Sequence, residues 1–120
     1  MKVRSGDELY EIRLEIARLL SNFKAAGAIE LDLPALLDAD VLIDLYGEDL
    51  RARAFSTIDL IEGEKILRPD FTVPVVQFHI ENPVKIQKYS YAGPVWRCQE
   101  FGSGKPHEYY QVGFESFHMS

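Results

Sequence analysis

Two residues of opposite charge near the end of the sequence stand in apolar surroundings. Arg97 follows a Val-Trp pair, and Glu115 lies among phenylalanines. A charge buried on a core strand needs a partner, because a buried charge without one is very costly. Arg97 and Glu115 could therefore pair with each other, or they could hold the opposite ends of a small zwitterionic molecule. Asp70 and Thr72, which could receive an ammonium group, and Gln111 favour the second interpretation.

A hairpin over residues 89–117 must position most of these side chains. Two strands are predicted on either side of the polar loop 99–107, which holds two glycines and a proline. Side chains alternate along a strand, so Gln111, Gly113 and Glu115 share one face of the second strand. Arg97 and Gln99 share a face of the first strand by the same count. If the strands pair antiparallel, these residues surround Gly113, which has no side chain. The pattern therefore predicts a binding surface for a small polar molecule.

Asp70 and Thr72 lie where a strand is expected to give way to a helix. Pro69 restricts Arg68 to an extended conformation, and residues 72–80 are compatible with a short helix. A carboxylate and a hydroxyl at this junction could bind an ammonium group. Both residue types are also ordinary helix caps, so this pair alone leaves the choice open.

The remaining segments predict an α+β fold, an antiparallel sheet with flanking helices. A stripe of apolar residues at helical spacing predicts a long amphipathic helix at the start of the chain. The predicted elements are a helix over Asp7–Ala26, a strand over Ala28–Leu33 stopped by Pro34, a helix over Leu36–Leu45, and a hairpin of Ala52–Thr57 and Lys65–Leu67 around Gly63.

Composition excludes several classes of function. The 120 residues allow one domain at most, and a net charge of −6 argues against a sequence-independent grip on nucleic acid. No apolar run is long enough to span a bilayer, and the N-terminus lacks an apolar signal core. One cysteine, Cys98, permits no internal disulfide and favours a reducing compartment, so a cytoplasmic protein is expected. Scattered histidines indicate no metal site, and no cofactor motif or catalytic set is present.

Three stretches together resemble the catalytic domain of a class II aminoacyl-tRNA synthetase, most of all its histidine branch. They are GAIELDLPAL, LRPDFT and GPVWRCQ with the following KPHEYYQVGFE. Pro34 matches the dimer-interface proline of the family's first motif. Arg97 matches the arginine of the second motif, which in the family holds the amino-acid carboxylate and the ATP α-phosphate. The resemblance covers nearly the whole chain and implies a partial class II synthetase fold.

The resemblance also implies roles in binding histidine. Asp70 and Thr72 would contact the α-ammonium group, and Arg97 would contact the carboxylate. Gln111 would orient the ligand, and Glu115 would accept a hydrogen bond from the imidazole. A guanidinium suits a carboxylate because its planar fork can engage both oxygens.

Three departures from the synthetase pattern affect the binding of ATP that the family would be expected to show. The glutamate of the second motif is Gln99, an expected arginine is His107, and Asp70 stands where synthetases usually carry glutamate. This pattern resembles the synthetase paralogues that are regulatory subunits of ATP phosphoribosyltransferase, the first enzyme of histidine biosynthesis. The resemblance implies a non-catalytic subunit that assembles with a short catalytic subunit, forms a homodimer near Pro34 and takes part in feedback by histidine.

Two other functions stay open at this point. The chain could belong to a histidyl-tRNA synthetase, or it could be a free-standing amino-acid-binding module. The family's domain continues well beyond the second-motif hairpin, through a third motif whose arginine holds ATP. Residues 1–120 are therefore expected to be the N-terminal part of such a domain.

Overall fold

The computed structural model describes residues 2–100 and 102–118, which form two compact units. The first unit contains residues 2–32, 84–92 and 112–118, and the second contains residues 33–83, 93–100 and 102–111. The elements in chain order are α1 (Gly6–Ala25), β1 (Ile29–Glu30), β2 (Leu36–Asp38), α2 (Ala39–Tyr46), α3 (Asp49–Arg53), β3 (Ser56–Asp59), β4 (Gly63–Leu67), α4 (Thr72–Glu81), β5 (Ile86–Trp96) and β6 (Glu108–His118).

Helix α1 of the first unit confirms the long helix predicted from the apolar stripe. Asp7 and Glu8 lie in its first turn, where negative charge favours the helix dipole. The chain leaves the helix at Gly27, whose φ of 97° suits glycine. The stripe is half-buried at Leu9, Ile12, Ile16, Leu19, Leu20 and Phe23. The Phe23 ring lies 5.4 Å from that of Phe114 between centroids.

The strands β1, β5 and β6 form one three-stranded sheet in that order. β5 and β6 confirm the predicted hairpin strands. β1 is shorter than the predicted strand over Ala28–Leu33, although the Leu31 N–H still donates to the Ser90 carbonyl at 2.9 Å. β1 pairs with β5 in parallel, with Ile29 opposite Tyr89.

The second unit contains an antiparallel sheet in the order β2-β4-β3. The hairpin around Gly63 is confirmed, but Ala52 and Arg53 belong to α3 and the first strand starts only at Ser56. The prediction of a helix from Leu36 was wrong for its first turn. Leu36–Asp38 is a strand, and the helix begins at Ala39, because Leu36 and Leu37 pair with β4.

The core of the second unit lies between this sheet and helices α2 to α4. One cluster of buried residues in this core consists of Leu37, Ala39, Leu42, Leu50, Ala54, Ile66 and Val73. Helix α4 confirms the short helix predicted after Asp70. The predicted α+β class is confirmed. Two details differ from the predicted single antiparallel sheet. The described strands form two small sheets, and the β1–β5 pair is parallel.

Candidate functional site

A pocket of about 310 Å³ in the second unit contains two of the predicted site residues. The ends of α2 and α3 form one wall, and the segments that follow β4 and β5 form the other. Its volume lies at the lower end of the range for small-molecule sites. The lining residues are Tyr46, Leu50, Arg53, Pro69, Asp70, Arg97, Cys98 and Gln99.

Asp70 precedes α4, and its carboxylate is held by two donors. The Thr72 backbone N–H donates to Oδ1 at 3.1 Å, and the Tyr46 hydroxyl donates to Oδ2 at 3.1 Å. Thr72 is the first residue of α4 and is exposed. Both donors are uncharged, so the Asp70 carboxylate keeps its negative charge available for an ammonium group in the pocket.

The pKa of Tyr46 reflects this contact with Asp70. Partial burial, then the negative charge of Asp70 and the hydrogen bond to it, raise the pKa of the Tyr46 phenol to about 12. The Arg97 guanidinium acts in the opposite direction. The phenol is therefore a neutral hydrogen-bond donor at physiological pH.

Arg97 lies just beyond the end of β5, which stops at Trp96. The prediction that Arg97 and Gln99 belong to the strand itself was therefore wrong. The Arg97 backbone N–H donates to the His107 carbonyl at 2.8 Å, which continues the hairpin by one more bond. Its Nε donates to the Pro69 carbonyl at 2.8 Å, and its guanidinium carbon lies 5.7 Å from the Tyr109 ring centroid. These contacts fix the arginine at the wall of the pocket.

Gln99 and His107, which depart from the synthetase pattern, make hydrogen bonds within the loop. The Gln99 side-chain amide donates to the Pro106 carbonyl at 3.2 Å. The Gln99 backbone N–H donates to Nδ1 of His107 at 3.2 Å, and this nitrogen lies 3.0 Å from the Arg97 carbonyl oxygen. His107 therefore closes the base of the loop. Phe101, in the same loop, lies outside the described residues.

Gln111 and Glu115 lie on the partly buried face of β6, as the alternation predicted. Gln111 belongs to the second unit and is not among the described residues that line the pocket. Glu115 belongs to the first unit, where the Tyr91 hydroxyl donates to its Oε1 at 3.2 Å.

Gly113 makes room for a side chain of the protein itself. A Cβ at this position would lie 2.5 Å from Cζ and 2.6 Å from Cε1 of Tyr91. The Tyr91 ring therefore occupies the space next to Gly113 that the sequence predicted to be open to a ligand. The absence of a side chain at Gly113 is explained by this packing in the first unit.

Arg68 is a buried arginine that sequence reasoning treated only as the extended residue before Pro69. Arg68 is only 6% exposed. Its Nε donates to the Pro94 carbonyl at 2.9 Å, and its Nη1 donates to the Leu33 carbonyl at 2.7 Å. It lies 4.5 Å from the Phe71 ring centroid. A Cβ on Gly93 would approach Arg68 Nη2 to 2.9 Å, so glycine there leaves room for the guanidinium.

Tyr46 and Arg53 are polar residues of the pocket that the sequence did not indicate. They come from the ends of α2 and α3, outside the three matched stretches of sequence. Among the described residues no group of three or more His, Cys, Asp or Glu side chains is placed to hold a metal ion. In the same part of the chain no helix is long and apolar enough to cross a membrane.

Solved structures with the same fold define the class of protein. A Bacillus halodurans protein described as an ATP phosphoribosyltransferase regulatory subunit/histidyl-tRNA synthetase matches with a TM-score of 0.71 at 21% identity, over 94% of this chain and 30% of its own. A histidine–tRNA ligase subunit from Alicyclobacillus acidocaldarius matches with a TM-score of 0.78 at 20% identity, over 97% of this chain and 33% of its own. The fold is that of a histidyl-tRNA synthetase-like class II domain.

A model of the histidyl-tRNA synthetase family matches residues 6–120, and the chain belongs to that family. Curated relatives include the ATP phosphoribosyltransferase regulatory subunits of Allorhizobium ampelinum, 42% identical over 98 residues, and Rhizobium etli, 41% identical over 100 residues. The matches cover 81% and 82% of this chain and 26% of each relative, so the chain spans about a quarter of their length. The resemblance inferred from the three motif stretches is confirmed.

Proposed function

We propose that this chain is part of a regulatory subunit of ATP phosphoribosyltransferase and does not itself catalyse aminoacylation. One observation carries the proposal: the pocket keeps Asp70 and Arg97, the charges that suit an amino acid, but has lost charges that suit ATP. Gln99 and His107 replace charged residues of the synthetase pattern and are engaged within their own loop. The identity of about 40% to proteins that carry this name supports the same function.

The proposed ligand of the pocket is free histidine. Asp70 and Thr72 receive its α-ammonium group, and the guanidinium of Arg97 receives its carboxylate. Gln111 orients the ligand, and Glu115 accepts a hydrogen bond from the imidazole. The geometry of the pocket supports the first part of this scheme, because Asp70 and Arg97 line the same cavity and each is held in place by hydrogen bonds.

The proposed partner is the short catalytic subunit of ATP phosphoribosyltransferase. We also propose a homodimer through α1 and the strand that ends before Pro34, a proline that is exposed in the second unit. We propose no nucleic-acid partner, because the net charge of −6 argues against sequence-independent binding of nucleic acid. The lone cysteine fits the cytoplasm as its location.

Reconstitution of the complete protein with a short catalytic subunit tests the proposal. Adding the protein is expected to raise the turnover of phosphoribosyl transfer and to make it sensitive to histidine. Arg97→Gln should remove the response to histidine, because the ligand carboxylate loses its charged partner, while Arg51→Gln on α3 should keep it. Turnover that does not change on addition of the wild-type protein would refute the proposal.

The second candidate, a histidyl-tRNA synthetase, is favoured by the family to which the chain belongs. It predicts ATP–pyrophosphate exchange that depends on histidine. We expect the complete protein to show no exchange above background, and clear exchange would establish the enzyme instead. Histidine binding in calorimetry without either activity would favour a free-standing amino-acid-binding module.

A further inference from the structure

Tyr46 reaches the pocket from the end of α2, and the backbone around it fixes its position. The helix ends at Gly47, whose φ of 85° suits glycine. The Gly47 N–H donates to the Ile43 carbonyl at 2.7 Å, and the Gly47 carbonyl accepts from the Leu50 N–H at 3.2 Å. Leu50 is buried, so the start of α3 anchors the same turn. The phenol is therefore presented to the pocket by a defined turn between two helices.

The Tyr46 hydroxyl lies beside both oxygens of the Asp70 carboxylate, 3.1 Å from Oδ2 and 3.4 Å from Oδ1. Its single hydrogen is used in this contact, because an ionised carboxylate only accepts hydrogen bonds. The phenol stays neutral at physiological pH, since its pKa is raised to about 12. The hydroxyl oxygen therefore keeps its lone pairs for a hydrogen bond from a bound group.

The Asp70 carboxylate also has acceptor capacity that these donors do not use. Its two oxygens offer about four lone pairs, while the Tyr46 hydroxyl and the Thr72 N–H supply one hydrogen each. No basic side chain of residues 2–100 and 102–118 lies within ion-pair distance of Asp70. An ammonium group has three N–H bonds to donate. A carboxylate and a neutral hydroxyl oxygen, side by side in one cavity, match such a group.

Burial alone does not require the contact between the two side chains. Tyr46 is 39% exposed and Asp70 is half-buried, so water could satisfy the hydrogen bonds of both. The hydroxyl and the Thr72 N–H instead hold the carboxylate from two sides. Such an arrangement orients a charged group before a ligand binds, which lowers the entropy cost of binding.

We infer that Tyr46 is part of the ammonium-binding site, where its hydroxyl donates to Asp70 and accepts a hydrogen bond from the ammonium group. The inference rests on the proposed use of the pocket for an amino acid. It adds a residue from outside the matched stretches of sequence to the proposed scheme. The ligand class is a primary amine with a carboxylate for Arg97.

Calorimetry on the complete protein with three ligands tests the inference. They are L-histidine, histidinol, which keeps the ammonium group but lacks the carboxylate, and 3-(imidazol-4-yl)propionate, which keeps the carboxylate but lacks the ammonium group. Tyr46→Phe should weaken binding of histidine and histidinol by about tenfold, the lower end for loss of a hydrogen bond to a charged group. Binding of the propionate should change less than about twofold, because it has no ammonium group to lose a partner.

Arg97→Gln is the complementary variant. It should weaken binding of histidine and the propionate and leave binding of histidinol nearly unchanged. Tyr110→Phe is the matched control, since Tyr110 is exposed on β6 and is not among the described residues that line the pocket. Equal weakening of histidine and the propionate by Tyr46→Phe would show a general disturbance of the pocket and overturn the inference. Unchanged histidine binding in this variant would overturn it too.

An Asp70→Asn background separates the direct contact from the orientation of Asp70. Tyr46→Phe should weaken histidine binding there by a further threefold or so, because the hydrogen bond from the ammonium group to the hydroxyl is also lost. The absence of any further loss would overturn the direct contact. Wild-type protein that binds no histidine would refute the proposed histidine site as well, whereas failure of the inference alone leaves wild-type binding intact.

Discussion

Replacing Arg68 with methionine is expected to destabilise the second unit strongly. The guanidinium is almost fully buried and donates to the carbonyls of Leu33 and Pro94, and it stacks on Phe71. Methionine fills similar space but donates no hydrogen bond, so both carbonyls would lose their charged donor.

The expected loss follows from these contacts. Hydrogen bonds to a charged group contribute about 1.5–3 kcal/mol each, and the contact with the aromatic ring adds roughly 0.5–2 kcal/mol. Removing the buried charge also removes its desolvation penalty, and methionine regains part of the packing. We therefore expect a net loss of about 2–4 kcal/mol, which is a large part of the ~5–15 kcal/mol that typically stabilises a folded domain.

Urea unfolding followed by tryptophan fluorescence measures this loss. Trp96 is the single tryptophan of the chain, and its ring centroid lies 5.7 Å from the Arg68 guanidinium carbon, so its signal reports on the same unit. Arg68→Lys should be intermediate, because lysine keeps the charge but lacks the planar fork. Arg51→Met is the control, and loss of its exposed ion pairs should cost at most about 1 kcal/mol.

Unfolding of Arg68→Met at the same urea concentration as Arg51→Met would contradict this prediction. Such a result would mean that the two carbonyls find water as a substitute at little cost. A changed slope of the unfolding transition, rather than a changed midpoint, would point to an altered denatured state.

Two further predictions concern Gly113 and Tyr46. Gly113→Ala should lower the free energy of unfolding by about 1–3 kcal/mol, because the added Cβ would overlap the Tyr91 ring. The loss should be smaller when Tyr91 is also replaced by alanine. Equal losses with and without the Tyr91 ring would show that the ring is not the cause. Folding raises the pKa of Tyr46 from 10.0 to about 12, so its contribution to stability is complete below pH 10 and is lost as pH rises from 10 to 12. Tyr46→Phe should lack this component of the pH dependence in urea unfolding, and identical profiles would contradict the raised pKa of Tyr46.

The elements with strong local patterns could be predicted from the sequence. The stripe of α1 and the alternation of β6 each repeat over enough residues to decide between helix and strand. Leu36–Asp38 could not be assigned in this way. Its two leucines suit either structure, and the choice depends on pairing with Ile66 and Leu67, which are distant in sequence.

The candidate site was predictable only where a motif marks it. Asp70 and Arg97 stand in recognisable stretches, and the structure brings both to one pocket. Tyr46 and Arg53 reach the same pocket through the packing of α2 and α3, which no local pattern specifies. The sequence also does not show that Arg68, rather than Arg97, is the deeply buried arginine, because that difference depends on the distant carbonyls of Leu33 and Pro94.

The division of the chain into two units has a consequence for synthesis on the ribosome. The first unit is assembled from three separate stretches, and the last of them begins only at residue 112. Helix α1 is made early, but β1 must wait for Tyr89 and Ser90 of β5 before it can pair. Closing such long intervals costs entropy and slows folding. The helix therefore emerges with its apolar stripe uncovered, and a chaperone that binds nascent chains would find its target there.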